Sequence, residues 1–252
     1  MPPNQNGDSV TIGSEVRLAT FLLVVVTVLL LVSKYLGNVL PKVVPDLETR
    51  LISSREIYRG DITNKQVIFT FDGGSVDVSA LKILSVLKKH GVKGTFFLTG
   101  RFIEDNKELV KRIHNEGHEI FNHTYDHPHL PTIGDGEIVS QLAQMDQKLE
   151  EVIGVSSKPY FRAPYGDRDQ RVLRAAFNHG YQSVFWTLDA LDWMESEGVN
   201  SEQVRNLILS SLASGNIYLM HLGDSITGNI LDDLFGEIER RGYKIVSLTQ
   251  GL

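Results

Sequence analysis

The stretch Gln66-Val67-Ile68-Phe69-Thr70-Phe71-Asp72-Gly73-Gly74 decides how this chain is read. Val67 to Phe71 are all β-branched or aromatic, the composition of a short strand buried on both faces. The run stops abruptly at an acid followed by two glycines. A strand that ends this way delivers a carboxylate to an open edge where backbone leaves room for a ligand. The ordinary alternative is an Asp that caps the next turn.

Working outward, the hydrophobic period changes again and again. Leu81, Leu84 and Leu87 recur at helical spacing over 78–90, and Gly91 stops the helix. A strand over 94–98 precedes a helix over 105–115. After Gly117 comes a strand over 118–121, then a long amphipathic helix over 135–153 that ends at Gly154. The remaining order is strand 159–162, helix 167–179, strand 183–188, helix 201–213, strand 216–221, helix 230–241 and strand 243–248. Regular strand–helix alternation predicts parallel strands joined by crossover helices, as an open doubly wound sheet or a barrel. Neither GxGxxG nor GxxxxGK[ST] follows the first strand, which removes support for the nucleotide-binding versions. Polar residues collect at strand ends instead: Asp72, His123, Arg162, Asp189, Asp192 and His221. In a βα barrel that is where functional groups gather.

The N-terminal quarter reads differently. A polar tail over 1–17 precedes an apolar run over 18–36, interrupted by Thr20 and Thr27, whose hydroxyls can bond back to a helix backbone. Lys34 and Tyr35 near its end suit an interface. This length predicts one transmembrane helix. A cleaved signal peptide and a buried core helix are the competing readings; no small-x-small site stands out after Val32. Charges on either side, Arg17 against Lys34 and Lys42, do not fix the orientation. Residues 37–64, with Pro41 and Pro45, read as a stalk or lead-in without a chemical motif. Residues 65–252 form the globular domain.

Composition narrows the function. The 252 residues carry a net charge of -6, which argues against a general nucleic-acid binder. With no cysteine there is no disulfide, zinc-thiolate site or cysteine nucleophile. His123-Thr124-Tyr125-Asp126-His127 places two imidazoles four residues apart, a spacing that on a helical turn lets both face one metal ion while Asp126 points elsewhere; a His-rich polar loop is the plainer reading. Arg162 is a cation suited to a buried carboxylate. His221 interrupts the apolar strand Tyr218-Leu219-Met220-His221-Leu222, as a satisfied core histidine would also do.

Taken together and in order, these segments resemble the motifs of the NodB-type polysaccharide deacetylases. Thr70-Phe71-Asp72-Gly73-Gly74 is similar to that family's Thr-Phe-Asp-Asp-Gly, and His123-Thr124-Tyr125-Asp126-His127 to its His-Ser/Thr-x-x-His. Arg162-Ala163-Pro164-Tyr165 resembles Arg-x-Pro-Tyr, Asp189-Ala190-Leu191-Asp192-Trp193 resembles Asp-x-x-Asp-Trp, and Leu219-Met220-His221 resembles Leu-x-His. The resemblance covers about residues 66–248. It implies an α/β fold, a distorted (β/α) barrel. It also implies a hydrolase that removes N-acetyl groups from an N-acetylglucosamine-containing polysaccharide, peptidoglycan or chitin-like.

Carried over, the resemblance makes His123 and His127 ligands of a divalent metal, zinc with cobalt or manganese as alternatives, and Asp72 the general base. Arg162 would orient Asp72, His221 would be the general acid, and Asp192 would hold His221. The Tyr165 backbone N–H would bind the oxyanion, with Trp193 and Leu219 as apolar walls to the substrate and Thr124 steadying the metal loop. An envelope glycan as substrate puts the domain outside the cytoplasm, either on a single-pass anchor or secreted after signal cleavage.

One position departs from the pattern: Gly73 stands where the family carries the Asp that is its third metal ligand. Water in its place, Asp77 as a substitute ligand (or simply a helix N-cap), and loss of metal-dependent activity are the three readings. The last would leave a carbohydrate-binding pseudoenzyme. An O-acetyl esterase, or an amide hydrolase for another substrate, is the rival chemistry on the same scaffold.

Overall fold

The computed structural model describes residues 21–37, 56–74 and 78–252. The expected tail, most of the lead-in and Asp77 lie outside the described residues. The chain divides into two compact units, Met1–Leu51 and Ile52–Leu252. In the first, residues 21–37 form a helix (α1) whose apolar side chains are exposed along its length. Thr27 donates its hydroxyl to the Leu23 carbonyl at 2.8 Å, so its polar group is satisfied within the helix. Among the described residues no helix is long and apolar enough to cross a membrane.

The second unit is built on β1 (Gln66–Gly73), as the opening stretch predicts. Side chains alternate across a strand. Val67, Phe69 and Phe71 pack into the larger core under the helices. Ile68 joins Phe97, Phe121, Val184 and Ile217 in a second cluster on the other side of the sheet. Asp72 shares the parity of Ile68 and Thr70 and so turns to that inner side, opposite to Gly73.

Around β1 the chain adds α2 (Ala80–His90), β2 (Thr95–Leu98), α3 (Gly100–Asp105), α4 (Lys107–Asn115), β3 (Glu119–Asn122), α5 (Asp135–Ile153), β4 (Tyr160–Phe161), α6 (Gln170–Asn178), β5 (Gln182–Ser183) and β6 (Leu188–Asp189). Then follow α7 (Ser201–Ser210), β7 (Ile217–His221), α8 (Ser225–Arg240), β8 (Lys244–Val246) and α9 (Leu248–Gly251), with short 3-10 turns at Leu130–Thr132, Pro164–Gly166 and Asp192–Glu197. The described strands form one sheet in the order β5-β4-β3-β2-β1-β7-β6, with β8 also on β1. Every pairing is parallel. The sheet is a curled half-barrel, so the barrel expectation holds in its coarser form.

Three differences from the sequence reading have a local reason. The expected helix over 105–115 is α4, starting at Lys107, and a short α3 that was not expected precedes it: Thr99 caps α3 by accepting from Phe102 N–H, and Asn106 at φ -126, ψ 40 separates the two. The expected strand over 183–188 splits into β5 and β6, which lie at opposite ends of the sheet path. The expected strand over 243–248 is shorter, and its end becomes α9 behind a Ser247–Gln250 capping box.

Residues 56–64, the end of the expected lead-in, are held on the domain. Ile57 bridges Val184 in parallel. Its N–H donates to Ser183 O at 2.9 Å, and its own carbonyl accepts from Phe185 N–H at 2.6 Å. Tyr58 O accepts from the Thr187 hydroxyl, and Arg59 reaches Asn216 Oδ1. This segment therefore follows the chain between β5 and β6, where the sheet path is open.

Candidate functional site

Asp72 and His221 are register partners on neighbouring parallel strands, β1 and β7. That pairing puts a carboxylate and an imidazole side by side at the C-terminal ends of the two strands. Arg162, just after β4, is fully buried beneath them. Its Nη1 donates to Asp72 Oδ1 at 2.6 Å and to Thr70 Oγ1 at 2.9 Å. Nε and Nη2 donate to the Val184 and Phe185 carbonyls, and the guanidinium lies 4.1 Å from the Phe97 ring centre. An arginine held this completely has one orientation, and it fixes the carboxylate in turn. Burial pushes the Asp72 carboxyl upward, but the neighbouring Arg162 charge, with that of His221, outweighs it and holds the group below its ordinary range.

His123 and His127 converge with their Nε2 atoms 3.1 Å apart. They do not sit on a helical turn. Thr124 (φ 65) and His127 (φ 62) are both left-handed, and it is this loop, not i,i+4 spacing, that turns the two rings together. The Thr124 hydroxyl accepts from His127 N–H at 3.2 Å and steadies the loop, as expected. Asp126 points away and pairs with Arg101. His123 Nδ1 donates to the Arg162 carbonyl at 2.9 Å, which leaves Nε2 as an unprotonated acceptor facing His127 Nε2 and 3.5 Å from Asp72 Oδ2. Burial lowers both imidazoles, and for His127 the nearby His123 adds to it, bringing the group to about 3.

Two neutral nitrogens beside an ionised carboxylate are a donor set that fits a divalent cation. They supply two ligands, one fewer than a typical catalytic zinc receives from protein. Gly73 gives no third. A Cβ placed on it would lie 2.7 Å from Leu98 Cδ2 and 2.9 Å from Leu222 Cδ1, in the apolar layer under the helices. Among the described residues, one trio of ligand-type groups has its atoms mutually within 4.8 Å: Asp192, His221 and Asp224.

That trio is built for proton holding. Asp192 is fully buried at the start of a 3-10 turn. Its Oδ1 lies 2.8 Å from His221 Nδ1, and its Oδ2 accepts from the His221 backbone N–H at 2.8 Å and from the Thr227 hydroxyl. With both oxygens occupied by donors, Asp192 has little left for a cation. Burial lowers the His221 imidazole, but the hydrogen bond and charge of Asp192 outweigh it and raise the group to about 9. Asp224, beside this pair, is pushed up to about 6 by burial and then by Asp192.

Of the remaining expected residues, Tyr165 and Trp193 are exposed and Leu219 is buried. Tyr165 sits at φ 58 in the turn after Arg162 and is 61% exposed; His129, paired with Asp167 at 2.9 Å, stacks on its ring at 4.0 Å. Trp193, 45% exposed, donates Nε1–H to Asp189 Oδ2 at 3.2 Å. Leu219 is buried on β7 at the same parity as His221.

Sequence reasoning missed several supports. Asn122 is buried and its Nδ2 lies within hydrogen-bonding reach of Leu142 O, Ser157 Oγ and Tyr181 OH, while its Oδ1 accepts from Thr124 N–H. Gln141 Oε1 accepts from the N–H groups of Tyr125 and Asp126. An amide closing an apolar strand directly before His123 was the available signal for Asn122. Gln141 on α5, and Asp224 and Thr227 at the start of α8, gave none, because nothing in the surrounding sequence sets them apart from ordinary helix and cap residues.

Known proteins resemble this chain in sequence and fold. The sequence profile described as polysaccharide deacetylase matches residues 59–184. The chain is 34% identical over 191 residues to the peptidoglycan-N-acetylmuramic acid deacetylase PdaA of Bacillus subtilis, covering 76% of this chain and 73% of that protein. It is 34% identical over 195 residues to a peptidoglycan-N-acetylglucosamine deacetylase of Bacillus cereus, covering 76% and 70%. The solved structure of PdaA, a family 4 carbohydrate esterase, matches with a TM-score of 0.76 at 32% identity, over 82% of this chain and 88% of that one. A family 4 pseudoenzyme from Bacillus anthracis matches with a TM-score of 0.73 at 30% identity, over 78% and 68%. With relatives this similar over most of both chains, the conclusion is that this chain belongs to the polysaccharide deacetylase family of hydrolases.

Proposed function

We propose that this protein removes N-acetyl groups from the amino sugars of a cell-envelope glycan, with peptidoglycan as the substrate class. The observation that carries this reading is the pairing of Asp72, clamped by Arg162, with His221, held by Asp192, on adjacent strands beside two converging histidines. Asp72, ionised at neutral pH, accepts a proton from the attacking water. His221, with Nδ1 engaged by Asp192, presents Nε2–H to the departing amine. The left-handed turn at Tyr165 offers its backbone N–H to the oxyanion. Trp193 and Leu219 wall the sugar. His123 and His127 would hold a divalent cation, zinc in the first instance, which when bound polarises the acetyl carbonyl and acidifies water.

Acetate release from N-acetylglucosamine oligomers and from muramic-acid-containing glycan fragments tests this, with chelator and with zinc, cobalt or manganese added back. We expect metal-dependent release, lost in Asp72→Asn and in His221→Ala. Chelator-resistant release that still needs Asp72 would refute the metal assignment. Gly73 favours a second reading, a glycan-binding protein without turnover; tight oligomer binding with no release under any metal would establish it. Preferential release from O-acetylated sugars would establish the esterase instead.

We further propose that residues 18–36 anchor the chain in a membrane with the domain on the outer side. Supporting this are the apolar run and the self-satisfied Thr27 hydroxyl. Retention in the membrane after alkaline extraction, with the domain cleaved by protease added to intact cells, is the expected result. Release into the medium of a shortened chain would favour the secreted form.

A further inference from the structure

Glu56 belongs to the lead-in that carried no motif, yet both its oxygens are engaged. Arg168 grips it through two parallel bonds, Nε to Oε1 and Nη2 to Oε2, each 2.9 Å. The Ser183 hydroxyl donates to Oε1 at 2.8 Å. The ion pair is mostly buried, at 23% and 14% side-chain exposure, so it has a fixed fork geometry that solvent-exposed pairs lack.

Both partners of Glu56 lead to the site. Arg168 Nη1 donates to the Gly166 carbonyl at 3.0 Å, the residue directly after Tyr165. Its guanidinium also lies 3.6 Å from the Phe185 ring centre, and Phe185 stacks on Trp186 at 3.9 Å. Gly166, at φ +66, is pressed so closely on these two rings that a Cβ there would lie 2.6 Å from Trp186 and 2.8 Å from Phe185. On the other route, Ser183 and Ile57 hold the segment 183–185, and the Val184 and Phe185 carbonyls are the ones that orient Arg162 under Asp72.

We propose that Glu56 is a positioning residue for the deacetylation reaction: through Arg168 it holds the left-handed Tyr165 turn, and through Ser183 it braces the carbonyls that aim Arg162 at Asp72. This rests on the reaction proposed above. It gives the segment entering the domain a part in setting the site.

The test compares the full chain in detergent with its Glu56→Gln, Arg168→Lys, double and Glu56→Asp variants, with Glu108→Gln, in an exposed surface pair, as the unaffected control. A misplaced oxyanion donor or base costs turnover more than binding, so Glu56→Gln and Arg168→Lys should each lower kcat about 10-fold with KM little changed. The double variant should fall no further, because both changes break one clamp. Glu56→Asp should recover part of the loss. Amide exchange supplies a readout that does not need activity: the Gly166 and Asp167 N–H groups, bonded to Ala163 O and Pro164 O, should exchange faster while those of β1 stay protected. Wild-type kcat in Glu56→Gln, or acceleration spread uniformly over the domain with kcat per folded molecule unchanged, overturns the proposal. A wild-type chain with no turnover would refute the reaction, and local exchange at 166–167 would still decide the clamp.

Discussion

Position 73 carries a hydrogen where the motif it resembles carries a second carboxylate, and strand parity decides what a side chain there would do. Asp72 faces the inner side of β1, so position 73 faces the helices, toward Leu98 and Leu222. Gly73→Asp would drive a charge into that apolar layer and away from His123 and His127. Overpacking and an unpaired buried carboxylate together should lower stability by about 2–4 kcal/mol without tightening zinc binding. Denaturant titration and calorimetric zinc titration read the two effects. Tighter zinc binding at undiminished stability would show that the end of β1 turns inward when metal is bound.

The pairing of His221 with Asp192 makes a second residue-level prediction, in pH. The folded imidazole is raised to about 9, above its ordinary value of ~6.5. Its acid form therefore persists through neutral pH, and kcat/KM should fall as pH rises through about 9. By the same linkage, the stability this pair contributes is fully present below ~6.5 and is lost as pH rises through the folded value. Asp192→Asn removes the charge that opposes burial, so the alkaline limb should move to lower pH. A pH–rate profile with the limb unmoved would mean that His221 is not the group reporting there.

At the scale of elements, legibility followed how local the cause was. β1 was readable because both its faces are apolar, and α5 was readable to the residue because its period and its Gly154 stop agree. The 183–188 segment was not, because one apolar run serves two edges: Val184 meets Ile57, whereas Leu188 meets Tyr218. Asp72, His123, His127, Arg162, Asp192 and His221 were legible as ordered motifs. The geometry joining the histidines was not, since it depends on two left-handed loop residues rather than on helical spacing. Asn122 shows what such a loop requires. It ends β3, ties α5 and the Ser157–Tyr181 pair to that strand, and accepts the Thr124 N–H that starts the turn. Asn122→Ala leaves several buried polar groups without partners, so a loss of about 2–3 kcal/mol is expected. Urea unfolding measures it; a change below ~0.5 kcal/mol would mean that the neighbouring groups re-pair without it.

For the whole molecule, the question is what keeps a half-barrel curled when its strand path leaves β5 and β6 unpaired with one another. Residues 56–61 provide a set of bonds across that opening and around the base of the sheet. Ile57 joins the 183–185 segment, Tyr58 takes the Thr187 hydroxyl, and Arg59 reaches Asn216. Gly60 N–H donates to Gly215 O and Asp61 N–H to Gly251 O, each at 2.7 Å. Gly60 also lies too close to the Gly251 backbone for a side chain, with a Cβ placed 2.4 Å from its carbonyl oxygen. A fragment over 66–252 keeps every strand and every site motif but loses these bonds and the Glu56–Arg168 pair. At about 1 kcal/mol for each net hydrogen bond, the loss is on the order of 5 kcal/mol. For a domain of this size that corresponds to a melting midpoint lower by roughly 10–20 °C. Calorimetry of fragments 52–252 and 66–252 compares them directly. Equal midpoints would mean that the curl is held by the helices alone, whereas the expected drop would make the entering segment part of the fold.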